Sequence, residues 1–184
     1  MRLRNILVLL VILAALTGAF YLFGRPAPPP APQPREYVWL VELDDITHVG
    51  IGLPRENASQ KFIKIVQDDK FPWFFDDANR SPVDTVRWGG GIPLLLSGPG
   101  ADRKVTDNAT QEQLAEFGLA QPQMEIVMTL KEGRTLSITV GDQTPDGNRH
   151  YVRAPNTNVV ATVDGSWFEV LAGLVRNPPY ATAR

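Results

Sequence analysis

The sequence predicts an α+β fold: largely antiparallel sheets with helices at the ends of strand runs, preceded by one transmembrane helix. Three observations carry that expectation. Residues 6–23, ILVLLVILAALTGAFYLF, run for eighteen positions without a charge. Beyond residue 35, short runs rich in β-branched and aromatic residues are separated by short polar turns, which implies antiparallel pairing. Helix signals gather after runs of strands rather than between every pair.

As a helix the apolar run is about 27 Å long at about 1.5 Å per residue, close to the ~30 Å hydrocarbon core. Arg2 and Arg4 precede it and only Arg25 closely follows. The positive-inside rule then predicts a single-pass protein of the cell (cytoplasmic) membrane, with a cytoplasmic N-terminus and an extracytoplasmic remainder. A cleaved signal peptide is the rival reading, with Thr17-Gly18-Ala19 as the small-x-small site, although that site lies inside the apolar run. Gly18, with Ala14, Ala15 and Ala19, permits close approach by another membrane helix.

The chain divides into an anchor over residues 1–25, a stalk over 26–35, a folded domain over 36–178 and a tail over 179–184. The stalk opens with PAPPPAPQP, six prolines in nine residues. Such a run favours extended polyproline II, reaching about 28 Å at ~3.1 Å per residue. In the domain, residues 37–43 (YVWLVEL), 47–53, 61–67 (KFIKIVQ) and 71–75 read as strands. Asp68-Asp69-Lys70 turns the third into the fourth. A helix is expected from Ser81-Pro82, an N-cap with proline at the first helical position, weakened by Gly89-Gly90-Gly91 and Pro93. A short helix over 110–117 follows, capped by Asp107 or Asn108 and closed at Gly118. Strands return at 124–130, 135–140, 150–153 and 158–163. Asp164 caps a last helix over 166–175, with Trp167, Val170, Leu171 and Leu174 on its apolar face. The order reads as an internal duplication, ββββα twice.

Composition narrows the chemistry. The chain of 184 residues has no cysteine and two histidines, His48 and His150. Disulfides, thiolate metal sites and a cysteine nucleophile are excluded. The net charge is −2, and residues 1–34 carry three arginines and no acid, which leaves −5 on residues 35–184. A mildly acidic domain argues against nucleic acid as a partner. No G-x-S-x-G elbow and no phosphate loop is present. Asp44, Asp45 and His48 form the best carboxylate–imidazole grouping, and a solvated turn explains it more simply. Asp68, Asp69, Asp76 and Asp77 flank Phe71, Trp73, Phe74 and Phe75 without a calcium-loop pattern. No catalytic residue, metal or cofactor is expected.

Residues 71–75, FPWFF, raise a question of exposure. Strand alternation puts Phe71, Trp73 and Phe75 on one face, read as core, and Phe74 on the other, read as the exposed aromatic. Pro72 lacks a ladder donor, which places this strand at an edge.

Residues 114–122, LAEFGLAQP, resemble the L-x-x-(Y/F)-G-L-x-x-P signature of the DUF4340 domain family. Gly141-Asp142-Gln143-Thr144-Pro145-Asp146-Gly147 followed by Tyr151-Val152-Arg153 resembles that family's strand-turn-strand, and Trp73 fits its tryptophan position. The resemblance spans residues 37–175. It implies a membrane-anchored extracytoplasmic domain, often encoded beside ABC-transporter parts of the gliding-associated type, with no assigned catalytic residues. Gly118 suits a left-handed helix cap, and Gly141 and Gly147 suit turns with positive φ. Gly89, Gly90 and Gly91 stand where the family has a regular helix and mark a candidate contact site.

The expected function is a non-enzymatic accessory or scaffold subunit. It would cross the bilayer through residues 6–23 and dock on polytopic membrane proteins of a larger complex, an ABC-type transporter or a respiratory or photosynthetic assembly. Phe74, Gly18 and Gly89–Gly91 are the interaction candidates. The alternative is a binding module for cell-wall glycan or peptide centred on Phe74. A hydrolase is the remotest reading.

Overall fold

The computed structural model describes residues 3–23, 36–66, 73–89 and 91–181. The stalk, the Asp68-Asp69-Lys70 turn, Phe71, Pro72, Gly90 and residues 182–184 of the tail lie outside the described residues. The chain forms two compact units, residues 1–34 and 35–184. The first holds helix α1, Leu3–Phe23. Its described side chains, Arg4 and residues 6–21, are all exposed. Among the described residues no helix is long and apolar enough to cross a membrane.

The second unit is built on one antiparallel sheet of eight strands: β1 (Ile46–Leu53), β2 (Ala58–Lys64), β3 (Trp73–Phe75), β4 (Arg103–Thr106), β5 (Met124–Leu130), β6 (Thr135–Gln143), β7 (Arg149–Arg153) and β8 (Val160–Asp164). Their spatial order is β3-β2-β1-β5-β6-β7-β8-β4. Among the described residues there are five α-helices, α1, α2 (Thr85–Trp88), α3 (Gly91–Ser97), α4 (Gln111–Glu116) and α5 (Gly165–Arg176), and two short 3-10 turns. This is the mixed helix and strand architecture the sequence predicts, with β3 at an edge as Pro72 suggests. The expected duplication is not confirmed, because three strands precede α2 and all eight join one sheet.

Strand alternation sorts the faces. Val49, Ile51 and Leu53 of β1 and Met124, Ile126 and Met128 of β5 point into the main core and are essentially fully buried. Trp88 of α2, Ile92 and Leu96 of α3, and Trp167, Leu171 and Val175 of α5 close that core from above. Helix α5 contacts β1 and β2 on one side and β7 and β8 on the other, so the sheet curves around it. A smaller cluster of Ala109, Leu114, Leu119 and Val160, with Phe117 and Tyr151 beside it, covers part of the opposite face.

Several local expectations are corrected. Residues 37–43 are not a strand: Tyr37 makes one bridge to Gly100, and a 3-10 turn begins at Leu43. The backbone donors Val38 and Val41 go to Pro99 and Ser97 instead of a neighbouring strand. Ser81-Pro82 does not start a helix. Pro82 bridges Phe74 and covers the edge of β3, while Asp84 caps α2 by accepting from the Val86 and Arg87 amides. Gly89 does break the helix there, with φ +39 that a side chain disfavours. Thr110, not Asp107 or Asn108, caps α4 through a reciprocal box with Gln113. Asp164 caps α5 as expected, but Val170 is exposed and Phe168, Ala172 and Val175 are buried instead. β4 had no strand signal. It becomes a strand by pairing with β8.

Candidate functional site

The most built surface feature is an apolar recess where residues 36–42 meet α3 and α5. It begins with a helix-end problem. The last four carbonyls of a helix have no partner within it and need one elsewhere. All four of α3 find a different donor. The Leu94 carbonyl accepts from Ser97 Oγ at 3.0 Å and the Leu95 carbonyl from Trp167 Nε1 at 3.0 Å. The Leu96 carbonyl accepts from Trp39 Nε1 at 2.9 Å and the Ser97 carbonyl from the Val41 amide at 2.8 Å. The two indoles also meet edge to face, with centroids 6.0 Å apart. Gly98 permits the fit, because a Cβ there would lie 2.8 Å from Leu40 Cδ1 and 3.3 Å from Tyr37 Cδ1.

Ordering these backbones strands apolar side chains on the outside. Tyr37, Leu40, Leu94 and Val170 are 48%, 70%, 62% and 45% exposed. They surround a recess of ≈ 520 Å³ whose charged lining residues are Asp102 and Asp164. The carboxyl of Asp164 is held below its ordinary range, chiefly by the Ser166 hydroxyl and amide. The recess therefore offers apolar contact beside two carboxylates, Asp164 and Asp102, the latter ion-paired with Arg149, and among the described residues no histidine lines it.

A second feature is a trough on the opposite face of the sheet, ≈ 370 Å³, over β2, β1 and β5. Gly50 and Gly52 form its floor, and His48, Lys61, Glu125, Val127 and Thr129 stand along it.

The candidate residues are placed as follows. Phe75 is buried, and Trp73 packs on the core and lies 5.0 Å from Trp88. Phe74 faces the other way but is only half-buried rather than exposed, paired with Ile63 and bridged to Pro82. Gly91 opens α3, which carries Leu94 to the recess; Gly89 is exposed at the end of α2. A Cβ at Gly18 would meet nothing within 4 Å in α1. Asp44, Asp45 and His48 do not converge: Asp44 pairs with Lys64, Asp45 with Lys131, and His48 contacts Thr47. Asp76 pairs with Arg80, and Asp77 accepts from the Asn79 and Ser81 amides. Among the described residues no group of histidine and acidic side chains is arranged to hold a metal ion.

The glycine-rich motifs have a structural account. Gly118 has φ +70 at the end of α4, as expected of a left-handed cap. Gly147 is likewise at positive φ, whereas Gly141 is not. Gly141 is required for close approach, since a Cβ there would collide with the Phe117 carbonyl oxygen. That carbonyl accepts from the Asp142 amide at 2.9 Å. Asp142 is partly buried, which raises its carboxyl, but Gln123 and Arg55 outweigh burial and hold it low. Tyr151 stacks on Phe117 at 4.5 Å and so serves packing.

No local sequence pattern singles out His150. It is 1% exposed, contacts the Gly141 carbonyl through Nδ1 at 3.2 Å and stacks on Phe168 at 4.1 Å. Its Nε2 has no partner among the described residues. Burial pushes its pKa below the ordinary value. The strand expected over 150–153 does not by itself tell that this side chain faces α5.

Residues 96–174 match the family described as Domain of unknown function (DUF4340). The match contains the motifs at 114–122, 141–147 and 151–153 and stops short of Trp73. No curated protein matches the chain. No solved structure matches it either.

Proposed function

We propose that this chain, whose residues 96–174 carry the DUF4340 match, is a non-enzymatic, single-pass accessory subunit of a larger membrane complex. In this reading α1 is the anchor and the N-terminus is cytoplasmic. Residues 26–35 are the tether, and the domain over residues 36–178 docks on the extracytoplasmic side of polytopic partners. An ABC-type transporter or a respiratory or photosynthetic complex is the partner class. The observation that carries the reading is the recess bounded by Tyr37, Leu40, Leu94 and Val170. Such a cluster of exposed apolar side chains rimmed by polar ones is characteristic of protein contact surfaces. The 21-residue helix α1 supports the anchor, with no charge from residue 6 onward. Glycan stacking has less support: Phe74 is half-buried, and no exposed aromatic lines the trough.

The test is a gentle-detergent pull-down of the C-terminally tagged chain from native membranes, followed by mass spectrometry and native-gel sizing. Stoichiometric recovery of polytopic membrane proteins is expected. A membrane-bound chain recovered without such partners would sink the reading.

A further inference from the structure

The three residues of the 151–153 motif differ in what they do. Tyr151 stacks on Phe117 and Val152 is buried in the core, but no contact within the fold accounts for the guanidinium of Arg153. Arg149 and Arg153, both on β7, are the two partly buried arginines among the described residues. Arg149 forms ion pairs with Asp102 and Asp146. Arg153 has neither an ion pair nor a hydrogen bond among the described residues. Thr139 lies directly across the ladder, yet its buried Oγ1 has no hydrogen-bond partner and so does not take up the guanidinium. Glu125 stands on the far side of Thr139, two strands or about 10 Å away laterally, and no ion pair joins it to Arg153. A guanidinium presents a planar fork of donors, and withdrawing it partly from water without an acceptor is unfavourable.

The turn between β7 and β8 builds a pocket around this arginine. The Ala154 amide donates to the Val159 carbonyl at 3.0 Å and the Thr157 amide to the Ala154 carbonyl at 3.3 Å, which closes the turn. Thr157 Oγ1 reinforces it, donating to the Ala154 carbonyl and accepting from the Val159 amide. Asn156 takes the left-handed conformation, φ +57, which asparagine tolerates better than most residues. The Asn158 carbonyl is tied to the Ala109 amide at 2.9 Å. The result is a cavity of ≈ 290 Å³ lined by Ser137, Arg153, Asn156, Thr157 and Asn158. Every one of these residues is polar and Arg153 carries their only charge; among the described residues no carboxylate lines the pocket. The Ser137 hydroxyl and the carboxamides of Asn156 and Asn158 make no hydrogen bond among the described residues.

From this arrangement we infer that the pocket is a receptor for a carboxylate group. The planar fork of Arg153 matches a carboxylate through two parallel N–H···O bonds. Its single positive charge balances a single negative one. Ser137, Asn156 and Asn158 supply neutral donors around it, and a turn already held by its own hydrogen bonds loses little freedom on binding. The volume admits the carboxylate and a small body attached to it, as in a small organic acid or the C-terminal residue of a peptide. The pocket shares no residue with the recess of Tyr37, Leu40, Leu94 and Val170 and does not depend on the docking role proposed there.

The full chain in detergent micelles, isotope-labelled for NMR, tests the inference with sodium acetate as the probe at constant ionic strength. The Arg153 Nε signal and the amides of Ser137, Arg153 and residues 156–158 are expected to shift saturably with acetate and not with chloride. Arg153→Gln should weaken acetate at least about 10-fold, and Arg153→Lys should recover only part of that loss, because the charge returns without the fork. Ser137→Asp keeps Arg153 but supplies an internal carboxylate, and it should weaken acetate to a similar degree. Thermal midpoints near that of the parent chain show that these variants fold. A tripeptide with a blocked N-terminus and a free C-terminus separates the two sources. Tighter binding than acetate assigns a chain terminus, binding no tighter assigns a small acid, and amidating the peptide should abolish its binding. The absence of a saturable shift overturns the inference. So do equal shifts with chloride, shifts that survive both Arg153→Gln and Ser137→Asp, and saturation by inorganic phosphate alone.

Discussion

Trp39 and Trp167 meet edge to face and donate their indole N–H groups to consecutive carbonyls, Leu96 and Leu95, at the end of α3. Two residues separated by most of the chain thereby terminate one helix. Trp39→Phe and Trp167→Phe each leave a carbonyl without its donor, and each should destabilise the unit by about 1–3 kcal/mol. For a domain of this size that is a fall of about 2–4 °C per kcal/mol in thermal midpoint. Calorimetry checks the midpoint. Amide exchange should show the loss concentrated in residues 94–98, and a uniform loss across the sheet would contradict this account.

Substitutions at the recess should behave in the opposite way. Leu40 and Leu94 are mostly exposed, so Leu40→Asp and Leu94→Glu should change stability by no more than about 0.5 kcal/mol. Each should nevertheless reduce recovery of the membrane partners at least about 10-fold in the pull-down. Unchanged recovery from both variants would move the docking surface elsewhere on the unit.

Gly141 and Gly133 are both glycines but for different reasons. A Cβ at Gly141 runs into the Phe117 carbonyl oxygen, whereas one at Gly133 meets nothing within 4 Å and is opposed only by φ +78. Gly141→Ala should cost at least about 3 kcal/mol and separate the end of α4 from β6. Gly133→Ala should cost about 1–2 kcal/mol. Chemical denaturation of the two variants side by side tests the order, and equal costs would refute it.

His150 gives a pH signature. Burial depresses its pKa, opposed by the Gly141 carbonyl and by the charges of Glu169 and Asp142. The folded form therefore keeps His150 neutral, while the unfolded chain takes up a proton below 6.5. This contribution to stability is complete above that pH and is lost as pH falls through the folded value. The slope cannot exceed about 1.4 kcal/mol per pH unit, the limit for one proton. Asp142 is depressed from an ordinary value of 3.8, so its loss begins at more acidic pH. Unfolding free energies between pH 7.5 and 5, roughly the range over which an ordinary histidine titrates, should decline in the parent chain and flatten in His150→Phe. Parallel profiles would assign the acid sensitivity to another group.

Residue patterns alone determined the elements whose signals are local. The β-rich run Met124–Leu130 marks β5, Asp164 marks the start of α5, and Gly118 marks the end of α4, because strand composition and capping act over a few neighbouring residues. Thr110 with Gln113 is equally legible as a capping box. The tertiary structure decided whatever depends on a distant partner. Residues 37–43 have strand composition, yet Val41 donates to the Ser97 carbonyl at the end of α3 and Val38 to Pro99 just beyond it. Arg103–Thr106 has little strand character, yet β8 offers it a ladder. Val170 fits the apolar period of α5 but lies where no element covers it. The recess and the trough were hidden for the same reason. Sequence periodicity tells which side chains share a face, and only the packing of remote elements tells which of those faces is left open.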